Sequence, residues 1–267
     1  MKTLIKKLGR SPVVSVVRLS GVISAGGRGG ATLSDEAVAP LVERAFRKGR
    51  PRAVALVINS PGGSPVQSSL IGARIRRLSE ETGVPVLAFV EDIAASGGYW
   101  LATAADEIWV DDSSMVGSIG VISAGFGLQD LIARYGVERR VHTAGRSKSQ
   151  LDPFRPETPE DTARLEGWLG QIHQAFIRQV TTRRGARLKE GETLFEGDVW
   201  IGAAAVEAGL VDGVGHLVPV MTARFGPQTK FRVYGPKRRL WQRLGASVAA
   251  EALTVAEDRL AFARFGL

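Results

Sequence analysis

The stretches AVALVINSPGG at 53–63 and VPVLAFVEDIAASGGYW at 84–100 decide the fold of this chain. Each opens on a short apolar run (53–58 and 84–90) of the kind that forms a buried strand, and each runs on into a glycine-rich turn. Between them, roughly 64–80 reads as a helix, with Val66, Leu70, Ile71, Ile75 and Leu78 on one face. Outward from this pair, VVSVVR at 13–18 is a further strand and DEIWVD at 106–111 a shorter one. Residues 34–48 read as a helix with Val38, Leu41, Val42 and Phe46 on one stripe. Strands that alternate with helices predict βαβ crossovers and a largely parallel sheet, hence an α/β fold.

A long helix starts after Thr158, which suits the N-cap, with Pro159 at the first helical position and Asp161 in the first turn. Leu165, Leu169, Ile172, Phe176 and Val180 follow at spacings of three and four. Trp168 beside that stripe is placed to widen it or to meet a partner chain. A short helix at 202–208 stops at Gly209, a left-handed C′ residue by type. The glycine-rich segment 22–32 reads as a mobile loop. The expected organisation is a basic segment at 1–12, one α/β domain over 13–227, and a basic, helical segment over 228–267.

Composition narrows the function classes. At 267 residues, with 44% hydrophobic and 23% charged content, the chain is an ordinary globular one, not disordered or fibrous. With no cysteine there is no disulfide framework, thiol nucleophile or thiolate metal site. No apolar stretch approaches the roughly 18 residues of a membrane-spanning helix. The net charge of +8 is unevenly spread. Lys2, Lys6, Lys7 and Arg10 stand without an acid in 1–10, as do Lys230, Arg232, Lys237, Arg238, Arg239 and Arg243 in 230–243. The remaining 243 residues carry 25 basic and 27 acidic side chains. Such basic segments, interleaved with Leu4, Ile5, Leu8 and Trp241, suit contact with an anionic membrane; solvated termini are the competing reading. Charge alone also admits nucleic acid, but no recognition motif accompanies it, and none is expected as a partner.

Two turns invite chemistry. SPGG at 60–63 and ASGG at 95–98 both follow strands, at the sheet edge where parallel α/β folds keep their sites. Ser96 among small residues is placed to expose its hydroxyl, and neighbouring glycine amides are placed to polarise a carbonyl. Taken singly, each also reads as a plain βα turn. A serine nucleophile needs a base. His142, His173 and His216 stand in no recognisable triad setting. Lys148, in GRSK at 145–148, is the alternative, since a lysine serves as base when neutral, against an ordinary pKa of about 10.4. Burial without a carboxylate partner would achieve this. The nearest acid in sequence is Asp152, and spacing alone favours a solvated loop lysine.

In order, SPGG at 60–63, ASGGYW at 95–100, GSIGV at 117–121, GRSKSQLDPFR at 145–155 and AVEAGLVDGVG at 205–215 make a set. With them the sequence, from about 13 to about 245, resembles the signal peptide peptidase A (SppA) family of Ser–Lys serine peptidases. The resemblance implies a Clp/crotonase-type βαβ superhelix that assembles into a ring, by expectation an octamer, and a serine endopeptidase acting on extended, apolar peptides such as signal-peptide remnants. It implies Ser96 as nucleophile, Lys148 as general base, Ser118 as the residue that orients the lysine, and the Gly63 and Gly97 amides as the oxyanion hole. No metal or organic cofactor is implied. In short members the serine and lysine of one site come from neighbouring subunits. Typical members carry an N-terminal membrane anchor; without one, the expected place is the cytoplasm, with peripheral contact at its membrane. Three other readings compete. A Clp-like Ser-His-Asp peptidase would need a histidine where 113–125 has none. A crotonase-type acyl-CoA enzyme would need neither Ser96 nor Lys148. A catalytically silent ring scaffold or membrane-surface adaptor would have lost one of them.

Overall fold

The two deciding stretches become neighbours at the centre of one sheet in the computed structural model, which describes residues 11–25, 33–190, 193–235 and 259–267. In chain order the elements are β1 (Val13–Ser20), α1 (Asp35–Arg47), β2 (Ala53–Ser60), α2 (Pro65–Thr82), β3 (Val86–Ala95), α3 (Gly97–Ala102), β4 (Glu107–Val110) and β5 (Met115–Gly117). There follow α4 (Gln129–Arg134), α5 (Pro159–Arg184), β6 (Val199–Ile201), α6 (Gly202–Glu207), β7 (Gly213–Val214), α7 (Leu217–Phe225) and β8 (Lys230–Tyr234). The sheet order is β6-β5-β3-β2-β1-β8, with β4 pairing β3 and β7. Every pairing is parallel except β5 with β6. This is the expected α/β class with a largely parallel sheet.

Local chemistry accounts for the first crossovers. Ser34 caps α1 by accepting from the Ala37 amide, Asp35 and Glu36 occupy the first turn, and Arg44 and Arg47 the last. Ser64 caps α2 through the Gln67 amide, Pro65 opens it, and Gly83 closes it at φ 66°. Strand β2 is buried nearly throughout, as a central parallel strand must be. Val14, Val16, Ala53, Ala55, Val57, Leu87 and Phe89 share one face of the sheet with Met221 of α7. By the two-residue period, Val54, Leu56 and Ile58 turn to the other face. Thr158 accepts from the Asp161 amide at 3.2 Å, and Gly209 stands at φ 76° after α6, both as expected.

Other outcomes differ from the sequence reading. Strands β5 to β8 have two to five residues each and carry no readable period. β8 falls inside the segment expected to be helical from 228, and pairs β1 with Lys230 opposite Val13. In the glycine-rich 22–32 segment, Ile23 bridges both Leu33 and Gly63. Residues 26–32, 1–10 and 236–258 lie outside the described residues, and with them the loop's centre and most of both basic segments.

The chain packs as two compact units, Met1–Ile119 with Gln179–Leu267, and Gly120–Arg178. The first holds the sheet. The second holds α4 and most of α5, and exposes large apolar side chains, among them Ile122, Phe126 (85% exposed), Tyr135 (76%) and Trp168. No helix among the described residues is long and apolar enough to cross a membrane.

Candidate active site

Ser96 stands where β3 turns into α3, at φ 50° and ψ −120°. That left-handed backbone is rare for a residue with a side chain and costs about 1–3 kcal/mol, so its surroundings must impose it. They do so from both sides. The Ser96 amide donates to the Gly117 carbonyl of β5 at 2.8 Å, and its carbonyl accepts from Trp100 in α3 at 3.0 Å. Serine at such a position ordinarily caps the helix with its hydroxyl. Here the twisted backbone turns it away: no capping bond forms, and among the described residues the half-buried hydroxyl has no partner. A strained strand-to-helix turn that presents a free hydroxyl is the geometry of a nucleophile elbow.

The two glycine-rich turns are packed against each other, which accounts for their composition. A Cβ on Gly62 would lie 2.8 Å from the Ala95 carbonyl and from the Gly97 amide. One on Gly98 would overlap the Ser60 carbonyl, and one on Gly97 the Ser68 hydroxyl. The same absent Cβ of Gly97 lies 3.4 Å from the Gly63 amide nitrogen. Gly63 itself, at φ 140°, has the Ile23 carbonyl where a side chain would go. The bridge to Ile23 uses the Gly62 carbonyl and the Ser64 amide, so the exposed Gly63 keeps its N–H unpaired among the described residues. Gly97, as the first residue of α3, has an N–H with no helical acceptor. Two amides that are unpaired among the described residues therefore flank the Ser96 turn.

Ser118 joins them through a strand that periodicity did not reveal. β3 and β5 pair in register up to Ala95 opposite Gly117. Ser96 and Ser118 are thus the next residues on adjacent parallel strands, and both have positive φ, 50° and 49°. Ser118 is held by its amide on the Asp198 carbonyl at 2.7 Å, and the Trp200 ring lies over Gly117, 3.1 Å from where its Cβ would stand. The signal available in sequence was Gly117 before a small polar residue; the pairing that makes it matter was not.

The AVEAGLVDGVG motif is structural support for this edge. The Tyr99 hydroxyl, fully buried in α3, donates to the Leu210 carbonyl at 2.7 Å. Burial pushes the phenol well above its ordinary pKa, and it remains a donor. Arg184 grips Asp212 through its two terminal guanidinium nitrogens, at 2.7 and 3.1 Å, and donates from Nε to the Gly209 carbonyl. Asp212 also accepts from the Ile108 amide, which ties the motif to β4.

Lys148 belongs to the second unit. It lies exposed in a turn closed by its own amide on the Gly145 carbonyl, and no hydrogen bond or ion pair engages its ammonium among the described residues. Asp152 is committed elsewhere, to Arg139 at 2.8 Å and to the Phe154 amide at 3.1 Å. The Arg139 guanidinium, aided by that amide, holds the Asp152 carboxyl below the usual carboxylate range. Arg139 also lies 5.1 Å from the centre of the Phe154 ring, so the LDPFR stretch is internally braced. Of the histidines, His142 is exposed, His173 lies on α5, and His216 meets Asp111 at 3.4 Å on the surface.

Residues 79–224 match peptidase family S49. A Brucella melitensis protein named Na(+)/H(+) antiporter NhaA is 44% identical over 271 residues, which are 95% of this chain and 37% of that protein. The chloroplastic serine protease SPPA of Arabidopsis thaliana is 32% identical over 205 residues, 76% of this chain and 29% of that one. A solved structure of the 1510-N membrane-bound stomatin-specific protease in complex with a substrate peptide has a TM-score of 0.49 at 12% identity, and covers 92% of this chain and 99% of its own. The chain thus spans little more than a third of the first relative's length and less than a third of the second's.

Proposed function

The chain belongs to peptidase family S49, and we propose that it is a serine endopeptidase in which Ser96 is the nucleophile and Lys148 the general base. The free hydroxyl of Ser96 on its strained turn carries this reading. In the proposed reaction the neutral Lys148 amine takes the proton from Ser96 Oγ as that oxygen attacks a peptide carbonyl. The Gly63 and Gly97 amides receive the negative charge that develops on the carbonyl oxygen. As the C–N bond breaks, the lysine returns its proton to the leaving amine and an acyl-enzyme remains. Water, activated by the same lysine, then hydrolyses the ester. Ser118 orients the lysine amine by a hydrogen bond. Extended peptides with small or apolar side chains at the cleavage point are the proposed substrates.

The proposed active form is a homo-oligomeric ring in which Ser96 of one subunit works with Lys148 of the next. Two observations support it: Lys148 has no partner within its own chain among the described residues, and the unit that carries it exposes Ile122, Phe126 and Tyr135. Co-assembly of two inactive variants tests the shared site. In a head-to-tail ring of Ser96→Ala and Lys148→Ala chains mixed evenly, about one junction in four carries both groups. About a quarter of wild-type cleavage should return. A mixture as silent as its components would exclude a site shared between subunits.

The amide pair has its own test. Gly97→Ala should lower kcat by about 100-fold with little change in KM, because its Cβ overlaps the Ser68 hydroxyl and shifts a proposed oxyanion donor. Adding Ser68→Ala should restore part of the loss. No restoration would mean that the steric account is wrong.

A further inference from the structure

One residue outside both glycine-rich turns touches Gly63 and Gly97 alike. Past the last pair of β1 and β2, Ser20 opposite Asn59, the chain runs on beside the SPGG turn. The Gly21 amide donates to the Asn59 carbonyl at 3.0 Å, the Ile23 amide to the Gly62 carbonyl at 2.8 Å, and the Ser64 amide to the Ile23 carbonyl at 2.7 Å. The Ser60 hydroxyl donates to the Gly21 carbonyl and accepts from the Gly62 amide at 3.3 Å. Of the amides at 62–64, that of Gly63 is thus the one left free among the described residues. On its other side Ile23 bridges Leu33: the Leu33 amide donates to the Val22 carbonyl at 3.4 Å, and the Ser24 amide to the Leu33 carbonyl at 3.2 Å. Leu33 is buried and precedes Ser34, the cap of α1, so the Ile23 backbone is gripped from two directions.

The Ile23 side chain, 1% exposed, turns towards the second glycine. A Cβ on Gly97 would stand 3.1 Å from Ile23 Cδ1, so the δ-methyl packs on the Gly97 Cα. A Cβ on Gly63 would overlap the Ile23 carbonyl, so the backbone of the same residue packs on the Gly63 Cα. Ser68, whose hydroxyl donates to the Ser64 carbonyl at 2.9 Å, limits Gly97 from the α2 side. We infer that Ile23 is a positioning residue for the proposed reaction: its backbone pins the Gly63 amide, and its δ-methyl is the stop against which the Gly97 amide rests. The inference rests on the reading of Ser96 as nucleophile and of the two amides as the oxyanion hole. Isoleucine suits the task. Its branched Cβ restricts χ1, which holds the δ-methyl in place. Valine is too short to reach Gly97, and leucine, unbranched at Cβ, sets its methyls elsewhere. An oxyanion hole acts only while both donors point at the place the oxygen will occupy, and a misplacement of 1 Å costs about 100-fold. A missing methyl lets α3 settle by a fraction of that distance, so the expected loss is about tenfold.

Labelling of the full chain by a fluorophosphonate tests it. In that reaction the Ser96 Oγ–P bond forms as fluoride leaves, and the phosphonyl oxygen takes the place of the carbonyl oxygen at the two amides. Ile23→Val, which deletes Cδ1 alone, and Ile23→Leu, which moves it, should each be labelled about tenfold more slowly than wild type. Both should lose about tenfold in kcat on a peptide, at unchanged KM. Ile108→Val controls for stability. It deletes the same methyl from an equally buried site on β4, opposite Ala88, which lies eight residues, about 25 Å, ahead of Ser96. It should lower the melting temperature as much as Ile23→Val does and keep the wild-type labelling rate. Equal labelling of wild type and both Ile23 variants would overturn the assignment. So would an equal loss in Ile108→Val, which makes the effect one of stability, or a raised KM at unchanged kcat, which makes Ile23 a substrate contact. Failure of the peptidase reading looks different: wild type itself would carry no label at Ser96, and the inference would fall with it.

Discussion

Replacing Ser96 with alanine is expected to remove peptide hydrolysis by about ten-thousand-fold or more in kcat, the scale on which a nucleophile's loss is felt when its partners act as a unit. The fold should survive, because the hydroxyl makes no bond among the described residues that alanine would forfeit. Ser96→Gly should be as inactive and yet more stable than Ser96→Ala by about 1 kcal/mol, since glycine accepts φ 50° without strain. Cleavage of a peptide library and urea denaturation of the three proteins check both halves. Activity within tenfold of wild type in Ser96→Ala would end its role as nucleophile. Equal stability of the alanine and glycine variants would mean the turn is not strained.

The largest loss of stability is expected from Arg184→Met. Arg184 is 3% exposed and grips an Asp212 that is itself 18% exposed, so its removal leaves a largely buried carboxylate beside an orphaned Gly209 carbonyl. Breaking a buried pair from one side costs about 3–5 kcal/mol. Arg187, 3.5 Å from Asp212, is too exposed to replace it. The double variant Arg184→Met, Asp212→Asn should be less destabilised than the single one, because no charge is left uncompensated. Urea midpoints at neutral pH measure the cycle, and strict additivity would remove the argument. Because Tyr99 hangs from Leu210 in the same motif, Arg184→Met should also loosen α3 beneath Ser96.

What was legible in the sequence follows the range of the forces involved. β2 and α2 were readable because apolar runs, Ser64, Pro65 and Gly83 act within a few residues. The boundaries shifted only slightly, from 64–80 to Pro65–Thr82. The short strands were not readable: β5 is three residues long and exists because β3 and β6 flank it. Asp152 was the nearest acid to Lys148 along the chain, yet its partner is Arg139, thirteen residues away, brought back by the loop. The neighbours of the basic run at 44–52 could not be read for the same reason. The sequence showed basic segments at 1–10 and 230–243, while the contact of Arg232 in β8 with the Lys48 carbonyl follows only from β1 pairing both β2 and β8.

By itself, then, the sequence determined the α/β class, the alternation that makes the sheet parallel, and the family, through ordered motifs whose residue types are visible without coordinates. The tertiary structure alone decided which groups are left free at the sheet edge. Ser96 keeps its hydroxyl because Gly117 of a neighbouring strand holds the backbone at positive φ, and Gly63 keeps its amide because Ile23 bridges the residues on either side of it. Availability is a property of what surrounding groups have already bonded, and those groups come from distant parts of the chain.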